Sequence, residues 1–431
     1  MKLKELCNVT SSKRIFASQY QNSGIPFYRG KEISLLSNNE KIKQELYISE
    51  ELYQEINKKY GVPKKDDILM TAVGTIGNCY IIKDEKIYFK DGNIIWLKDI
   101  DSKKILPKYL YYCLNLNSTK NTIDSLLIGS TQKALTIENF KNIEIDVPNI
   151  EIQSKIVKLL NILNNKIRLN IKINNNLQAL INSIFKRWFI DFEFPNGERK
   201  LYKSSNGKMI DSELGEIPEE WKIIIFKDII DFSNGYSIDS KKMLDKEVNN
   251  TYKVFKMGNI NPLGGINKDK TKSWLSKEYC NGLEKYISKK GDILMCMTDM
   301  KNSDTPLLGH TALIDKDNEF IINQRVGIIR CKKELVNYPF VYTLTNLDFF
   351  VKNIRSRANS GVQVNLSTKG ICDTPLILPD RKTLDKFNDI AEPMYEEIFR
   401  NNEENETLSK LRDTLLPKLM NGEIDLDKIE I

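Results

Sequence analysis

The chain is short of the residues that most enzymes lean on. Its 431 residues include one histidine, His310. Histidine-built metal centres need more than one such ligand, and any Ser-His-Asp or Cys-His arrangement would have to use this residue. An ordinary polar role is the expectation for it. Seven cysteines are scattered from Cys7 to Cys372 with no Cys-x-x-Cys pair, which argues against a disulfide framework and a structural zinc site. No apolar run approaches the ~18 residues that span a membrane. The opening Met1-Lys2-Leu3-Lys4-Glu5-Leu6-Cys7 has no apolar leader, so a cytoplasmic location and no membrane contact are expected. Arginine is scarce beside lysine, 12 against 53; with the many Asn and Ile residues, this fits AT-rich coding.

Nucleotide motifs are missing as well. Gly207-Lys208 is followed by Met209, not by a hydroxyl residue that could hold Mg²⁺. There is no Gly-x-Gly-x-x-Gly fingerprint. Asn261-Pro262-Leu263-Gly264 lacks the second proline and the aromatic that would grip a flipped adenine. Asp191 with Glu198-Arg199-Lys200 is a loose set of nuclease-type groups in a Pro/Gly stretch with no strand to hold it. No catalytic and no metal-binding residue is assigned.

What is present is a globular composition, 41% hydrophobic and 29% charged, with a net charge of +7. A single core rarely exceeds about 250–300 residues, so two or more domains are expected. The charge permits local nucleic-acid patches without demanding them.

Self-comparison is the most informative step. Tyr109 to Phe189 lines up with Phe340 to Met420 at an offset of 231 residues. Upstream, Asp67-Ile-Leu-Met70 returns as Asp292-Ile-Leu-Met295, and Tyr47-Ile-Ser49 resembles Trp274-Leu-Ser276. The chain is thus two copies of one module, a mixed α/β (α+β) globular part followed by a long helix. The expected boundaries are a first globular domain 1–148, a first helix 149–190, a linker 191–220, a second domain 221–379, a second helix 380–421 and a tail 422–431.

Both helices carry a 4–3 hydrophobic seam. In the first it includes Ile156, Leu163, Ile167, Asn170, Asn174 and Leu177; in the second, Ile398, Asn401, Asn405 and Leu408. The asparagines recur at matching central positions, where buried amides lower stability but set register. Residues 151–190 hold seven basic groups and one acidic; residues 380–420 hold seven basic and ten acidic. The two helices should attract, and an antiparallel pairing brings the asparagines together. Each seam of 33 residues spans roughly 50 Å at ~1.5 Å per residue. Two similar heads on a stiff paired-helix spacer are expected.

The heads offer DNA-contact chemistry on polar loops. The candidates are Thr71 and Thr75 in a Gly-rich loop, then Ser130, Gln132 and Lys133 in the first head. In the second they are Lys301, Asn302, Arg355, Arg357, Ser360 and Gln363.

The strings Gly129-Ser-Thr-Gln-Lys-Ala-Leu-Thr136, Glu151-Ile-Gln-Ser-Lys-Ile-Val157, Phe185-Lys-Arg-Trp-Phe-Ile-Asp-Phe192 and Leu214-Gly-Glu-Ile-Pro-Glu-Glu-Trp221 carry a family resemblance. Together they resemble the specificity subunit of type I restriction–modification enzymes, over almost the whole chain. Asp380 to Lys386 departs from it, lacking the Glu-x-Gln-x-Lys-Ile run. The resemblance implies two target-recognition domains, each reading half of a bipartite site on double-stranded DNA. It implies a subunit without an active site that docks two methylation subunits and up to two restriction (motor-nuclease) subunits. S-adenosylmethionine, ATP and Mg²⁺ would sit on those partners and no cofactor on this chain. A coiled-coil protein scaffold and a self-contained nuclease or methyltransferase are the alternative classes.

Overall fold

A computed structural model of the chain describes residues 1–38, 42, 45–129, 133–197, 200–262, 264–300, 306–359, 363–420 and 423–424; for Asp269, Met300, Gln363 and Met420 it describes the backbone alone. The chain falls into two compact units, 1–169 with 404–431, and 170–403. The long helices Ile150–Phe185 and Arg381–Met420 each give one stretch to each unit.

In the first unit, Asp67-Ile-Leu-Met70 becomes the buried strand Ile68–Thr71. Apolar on both faces, it sits inside a four-stranded antiparallel sheet between Ile94–Lys98 and Cys79–Ile81, with Asn8–Thr10 at the far edge. A second sheet places Ile25–Tyr28 antiparallel to Leu46–Ile48 and parallel to Tyr88–Phe89. Pro107 opens the helix Pro107–Leu114, where its missing N–H costs nothing.

The second unit repeats this plan strand for strand. Ile293–Cys296 lies between Val326–Cys331 and Thr311–Leu313, with Ile230–Asn234 at the edge. Thr251–Phe255 lies antiparallel to Trp274–Ser276 and parallel to Phe320–Ile322. Even isolated bridges recur at the 231-residue offset: Ile128 with Ala134 in one unit, Asn359 with Asn365 in the other. The duplication read from the sequence is a duplication of fold.

Within each unit the helix stretches pair antiparallel. In the first, Ile156, Leu160, Leu416 and Leu419 are buried in one cluster, and Lys166 meets Glu404 at 3.1 Å. In the second, Ile181 and Phe185 share a cluster with Phe387, Ala391, Tyr395 and Phe399. The expected seam positions are buried or half-buried throughout: Ile156, Leu163, Asn170 and Asn401 buried, Ile167, Asn174, Leu177, Ile398, Asn405 and Leu408 half-buried. The second helix buries more than its seam, because Tyr395 and Phe399 turn into its own head. Of the seam asparagines, Asn174 meets Asn401 and also the neighbouring Asn402. Asn174 donates to Asn402 Oδ1 at 2.9 Å and accepts from Asn401 Nδ2 at 2.9 Å.

Segment 191–220 is more than a flexible connector. It forms a small hairpin, Met209–Ile210 with Ile217–Pro218, and buries Phe194 and Ile217. Phe194 stacks on Trp221 at 5.0 Å and on Tyr202 at 4.6 Å. The segment's turn residues point to a linker, and its aromatics have no periodicity to reveal that they pack. No helix among the described residues is long and apolar enough to cross a membrane.

Candidate nucleic-acid interface

The polar loops picked from the sequence hang from the same strand ends in both heads. In the first, strand Ile68–Thr71 runs into a loop closed by its own first residue. Thr71 Oγ1 donates to Thr75 O and accepts from Asn78 N at 3.0 Å, while Gly77 N donates to Thr71 O at 2.9 Å. Gly74 and Gly77 take φ of 81° and 85°, values that favour glycine. Thr71 is 0% exposed, so its assignment as a DNA contact is corrected. A threonine can donate and accept at once, and this one spends both on shaping the loop. Thr75 stays exposed at the tip, sharing a 2.8 Å hydrogen bond with Ser34 of the helix Gly30–Ser37. Lys133 is exposed beside Ala134, which bridges to Val73. Thr75 and Lys133 therefore lie on one loop assembly; Ser130 and Gln132 lie outside the described residues.

The helix carrying Ser34 is anchored at its start. Arg29 reaches buried Glu32 twice, at 3.0 and 2.7 Å, and its backbone N–H adds a third bond. Burial pushes the Glu32 carboxyl up, but the Arg29 hydrogen bonds outweigh it and hold the group below the usual carboxylate range.

Among the described residues, the second head has no such helix. The matching place after strand Thr251–Phe255 holds a short turn, Met257–Asn259, whose buried Asn259 accepts from Lys256 N at 2.9 Å as Glu32 does from Arg29. The loop after Ile293–Cys296 is also held differently. Asp299 Oδ2 accepts from Leu307 N at 2.5 Å and Leu308 N at 3.3 Å. Arg355 donates to Leu308 O at 2.8 Å and Pro306 O at 3.0 Å. Those two bonds occupy Arg355 as a strap on the loop, so its expected base contact is recast as a positioning role. Arg357 is exposed, its Nε donating to Asn353 at 2.9 Å. Strand Gln363–Asn365 pairs with Thr298–Met300. Gln363 thus lies on this assembly by its backbone; Lys301, Asn302 and Ser360 fall outside the described residues.

One part of the second head escaped the sequence reading. An open hollow of about 450 Å³ is lined by Asn234, Gly235, Ser237, Met297, Thr298, Gln324, Arg325, Asn365 and Leu366. Its polar residues match base-reading chemistry. Comparing the turn residues of the two copies, Asp91-Gly92-Asn93 against Asn323-Gln324-Arg325, would have flagged it.

His310 is buried, and burial with the nearby Arg355 charge lowers its pKa, keeping the ring neutral. Burial raises the thiols of Cys7, Cys79 and Cys296 to about 12, which makes them poor nucleophiles. Among the described residues, no group of three or more His, Cys, Asp or Glu is placed to hold a metal ion.

A duplicated head with polar loops at matched strand ends, joined to paired helices, defines a two-headed recognition protein. The chain belongs to the family described as the type I restriction modification DNA specificity domain, whose model matches residues 1–179 and again 218–407. Its relatives include the Type I restriction enzyme MjaIX specificity subunit of Methanocaldococcus jannaschii, 26% identical over 440 aligned positions that cover 99% of this chain and 94% of the relative. The Type I restriction enzyme HindI specificity subunit of Haemophilus influenzae is 22% identical over 414 positions, 84% of this chain and 87% of that one. Among solved structures, the type I restriction-modification S subunit from M. genitalium superposes with a TM-score of 0.56 at 15% identity, covering 97% of this chain and 95% of the other, a likeness of fold.

Proposed function

We propose that this chain is the non-catalytic DNA-recognition subunit of a type I restriction–modification complex, each head reading one half of a bipartite double-stranded site. The observation that carries the reading is the duplication itself. The same strands and bridges recur in both units, while the loops they present differ in residues and in how they are held. A scaffold that only binds protein has no need of two divergent polar loop sets on one conserved frame.

The finer reading takes its DNA-contact residues from loop position and side-chain chemistry, and its partners from the family. Thr75, Ser130, Gln132 and Lys133 face DNA in the first head, and Lys301, Asn302, Arg357, Ser360 and Gln363 in the second, with Thr71 and Arg355 shaping their loops. The paired helices fix the distance between half-sites and, in the cytoplasm, dock two methylation subunits and up to two restriction subunits. S-adenosylmethionine for adenine methylation, and ATP with Mg²⁺ for translocation and cleavage, belong to those partners.

The test is long-read sequencing of adenine methylation in the source strain and in a strain lacking this gene. Loss of one gapped two-part motif on deletion is the expected result. Where the partner genes are expressed, an unchanged methylome refutes the reading.

A further inference from the structure

The two heads close the same rim in opposite ways. In the first head, the strand Asn8–Thr10 leads to Ser11 and Arg14, opposite the turn Asp91-Gly92-Asn93. There Ser11 Oγ accepts from Gly92 N at 3.2 Å and donates to Ile94 O at 3.0 Å, and Arg14 is tied to Asp91 at 3.0 Å. The polar side chains are spent on closing the turn.

In the second head the matching strand, Ile230–Asn234, leads past Gly235 to Ser237, opposite Asn323-Gln324-Arg325. The backbone makes the closure here instead. Tyr236 N donates to Ile322 O at 2.8 Å, Gln324 N to Tyr236 O at 2.9 Å, and Gly235 N to Val326 O at 2.9 Å. Gly235 permits this approach, because a Cβ there would lie 2.3 Å from Asn323 O. With the closure made by main chain, Gln324 and Arg325 stay exposed, and neither side chain hydrogen-bonds or ion-pairs with any described residue. They stand at the edge of the polar hollow beside Asn234, Ser237 and Asn365.

We propose that Gln324 and Arg325 are the base-reading tip of the second head, Arg325 taking a guanine edge and Gln324 an adenine edge in the major groove. The inference rests on the DNA-recognition reading above and adds to it the residues and the base class. A guanidinium matches guanine O6 and N7 with two parallel hydrogen bonds, and a carboxamide matches adenine N6 and N7. Two adjacent residues held by a rigid turn suit two neighbouring base pairs. The first head has Gly92-Asn93 at the matched turn and its Arg14 is paired with Asp91, so it offers no counterpart to Arg325 there. The heads are thus built to prefer different half-sites.

The experiment sequences adenine methylation in cells that produce the full chain with its methylation partners, as wild type or as Arg325→Ala, Arg325→Lys or Gln324→Ala. Wild type must first yield a gapped motif; if it yields none, the DNA-recognition reading has failed and this inference goes with it. Given that motif, Arg325→Ala should relax one G·C position and Gln324→Ala one A·T position in the same half-site, each by roughly 10-fold or more. The other half-site should be unchanged. Arg325→Lys should relax the same G·C position, but less than Arg325→Ala, because an ammonium can reach guanine O6 and N7 without the planar fork that fits both. An unaltered motif in the alanine variants overturns the inference while leaving the recognition reading intact. Loss of all methylation by Arg325→Ala at an unchanged melting temperature would count against base reading in the same way.

Discussion

The junction of long helix and head is built twice, once from aromatic and once from aliphatic residues. In the second unit, Phe185, Trp188 and Phe189 close on Phe387 and Ala391. Phe189 meets Phe387 edge-on at 5.1 Å and Phe340 at 5.1 Å. At the 231-residue offset, the first unit puts Leu416 and Leu419 where Phe185 and Trp188 stand, and Ile156 and Leu160 where Phe387 and Ala391 stand. Large rings face one ring and a small alanine in one; medium aliphatic side chains face each other in the other. A core needs conserved volume, not conserved residues, so one frame tolerates both solutions. The aromatic version also recruits Phe192 and Phe194 from the segment between the copies, through Trp221 at the start of the second head.

The largest effect is expected at this junction. Phe387 and Ile156 occupy matched positions, both 0% exposed. Phe387→Ala removes a ring that touches three others and should cost about 3–5 kcal/mol, and Ile156→Ala about 2–4. Chemical denaturation of the full chain, followed by tryptophan fluorescence, measures both. Equal losses would mean that the aromatic contacts add nothing beyond volume.

A second matched pair separates the heads by charge. Asp67 accepts from Trp96 Nε1 at 2.8 Å and Lys64 N at 2.9 Å, whereas Asp292 accepts two bonds at 2.9 Å from Arg330. Asp292→Asn deprives Arg330 of its anionic partner and should destabilise by about 1–3 kcal/mol at neutral pH. Asp67 should answer differently. Burial raises its pKa against the pull of its two donors, so the folded chain holds that proton more tightly than the unfolded one. Its contribution is best below about pH 4 and declines as pH rises through the elevated pKa. Asp67→Asn removes that decline, so the variant's stability relative to wild type should improve from pH 4 to pH 7. Melting curves across that range check the sign; a gap that widens in the wild type's favour would reverse it.

The seam asparagines come next. Asn174→Leu leaves the buried Asn401 without the oxygen it donates to, at a cost of about 1–3 kcal/mol. Combining it with Asn401→Leu should recover most of that, since an apolar pair suits a seam. If the double variant is no more stable than the single, the asparagines contribute stability as well as register.

Much of this was legible in residues alone, for physical reasons. The duplication showed because matched buried positions keep apolar character even where the residues differ, and Asp-Ile-Leu-Met returned intact. The helices showed because only a helix brings residues spaced alternately 4 and 3 apart onto one face over 33 positions. Thr71 misled because a small polar residue in a Gly-rich loop looks the same whether its hydroxyl faces a ligand or its own backbone. Arg355 misled likewise, since its carbonyl partners Pro306 and Leu308 lie 47 or more residues away. Gln324 and Arg325 went unread because a two-residue turn leaves no periodic trace.

The smallest effect concerns the charges that sequence counting set between the helices. In the first unit, Lys166 meets Glu404 across the pair at 3.1 Å, with side chains 44% and 43% exposed. In the second unit, the same acidic helix turns to its own head: Glu396 meets Lys290 at 2.7 Å and Glu403 meets Lys316 at 3.2 Å. Opposite charge on the two helices is therefore answered between helices in one unit and between helix and head in the other. Exposed pairs of this kind are worth about 0.2–1 kcal/mol and fade as salt rises. Lys166→Glu should lower the melting temperature by no more than a few degrees at low salt and by less at 1 M. Lys290→Glu should do the same through the head. If Lys166→Glu instead unfolds the first unit at any salt, helix attraction rather than the apolar seam holds that pair together.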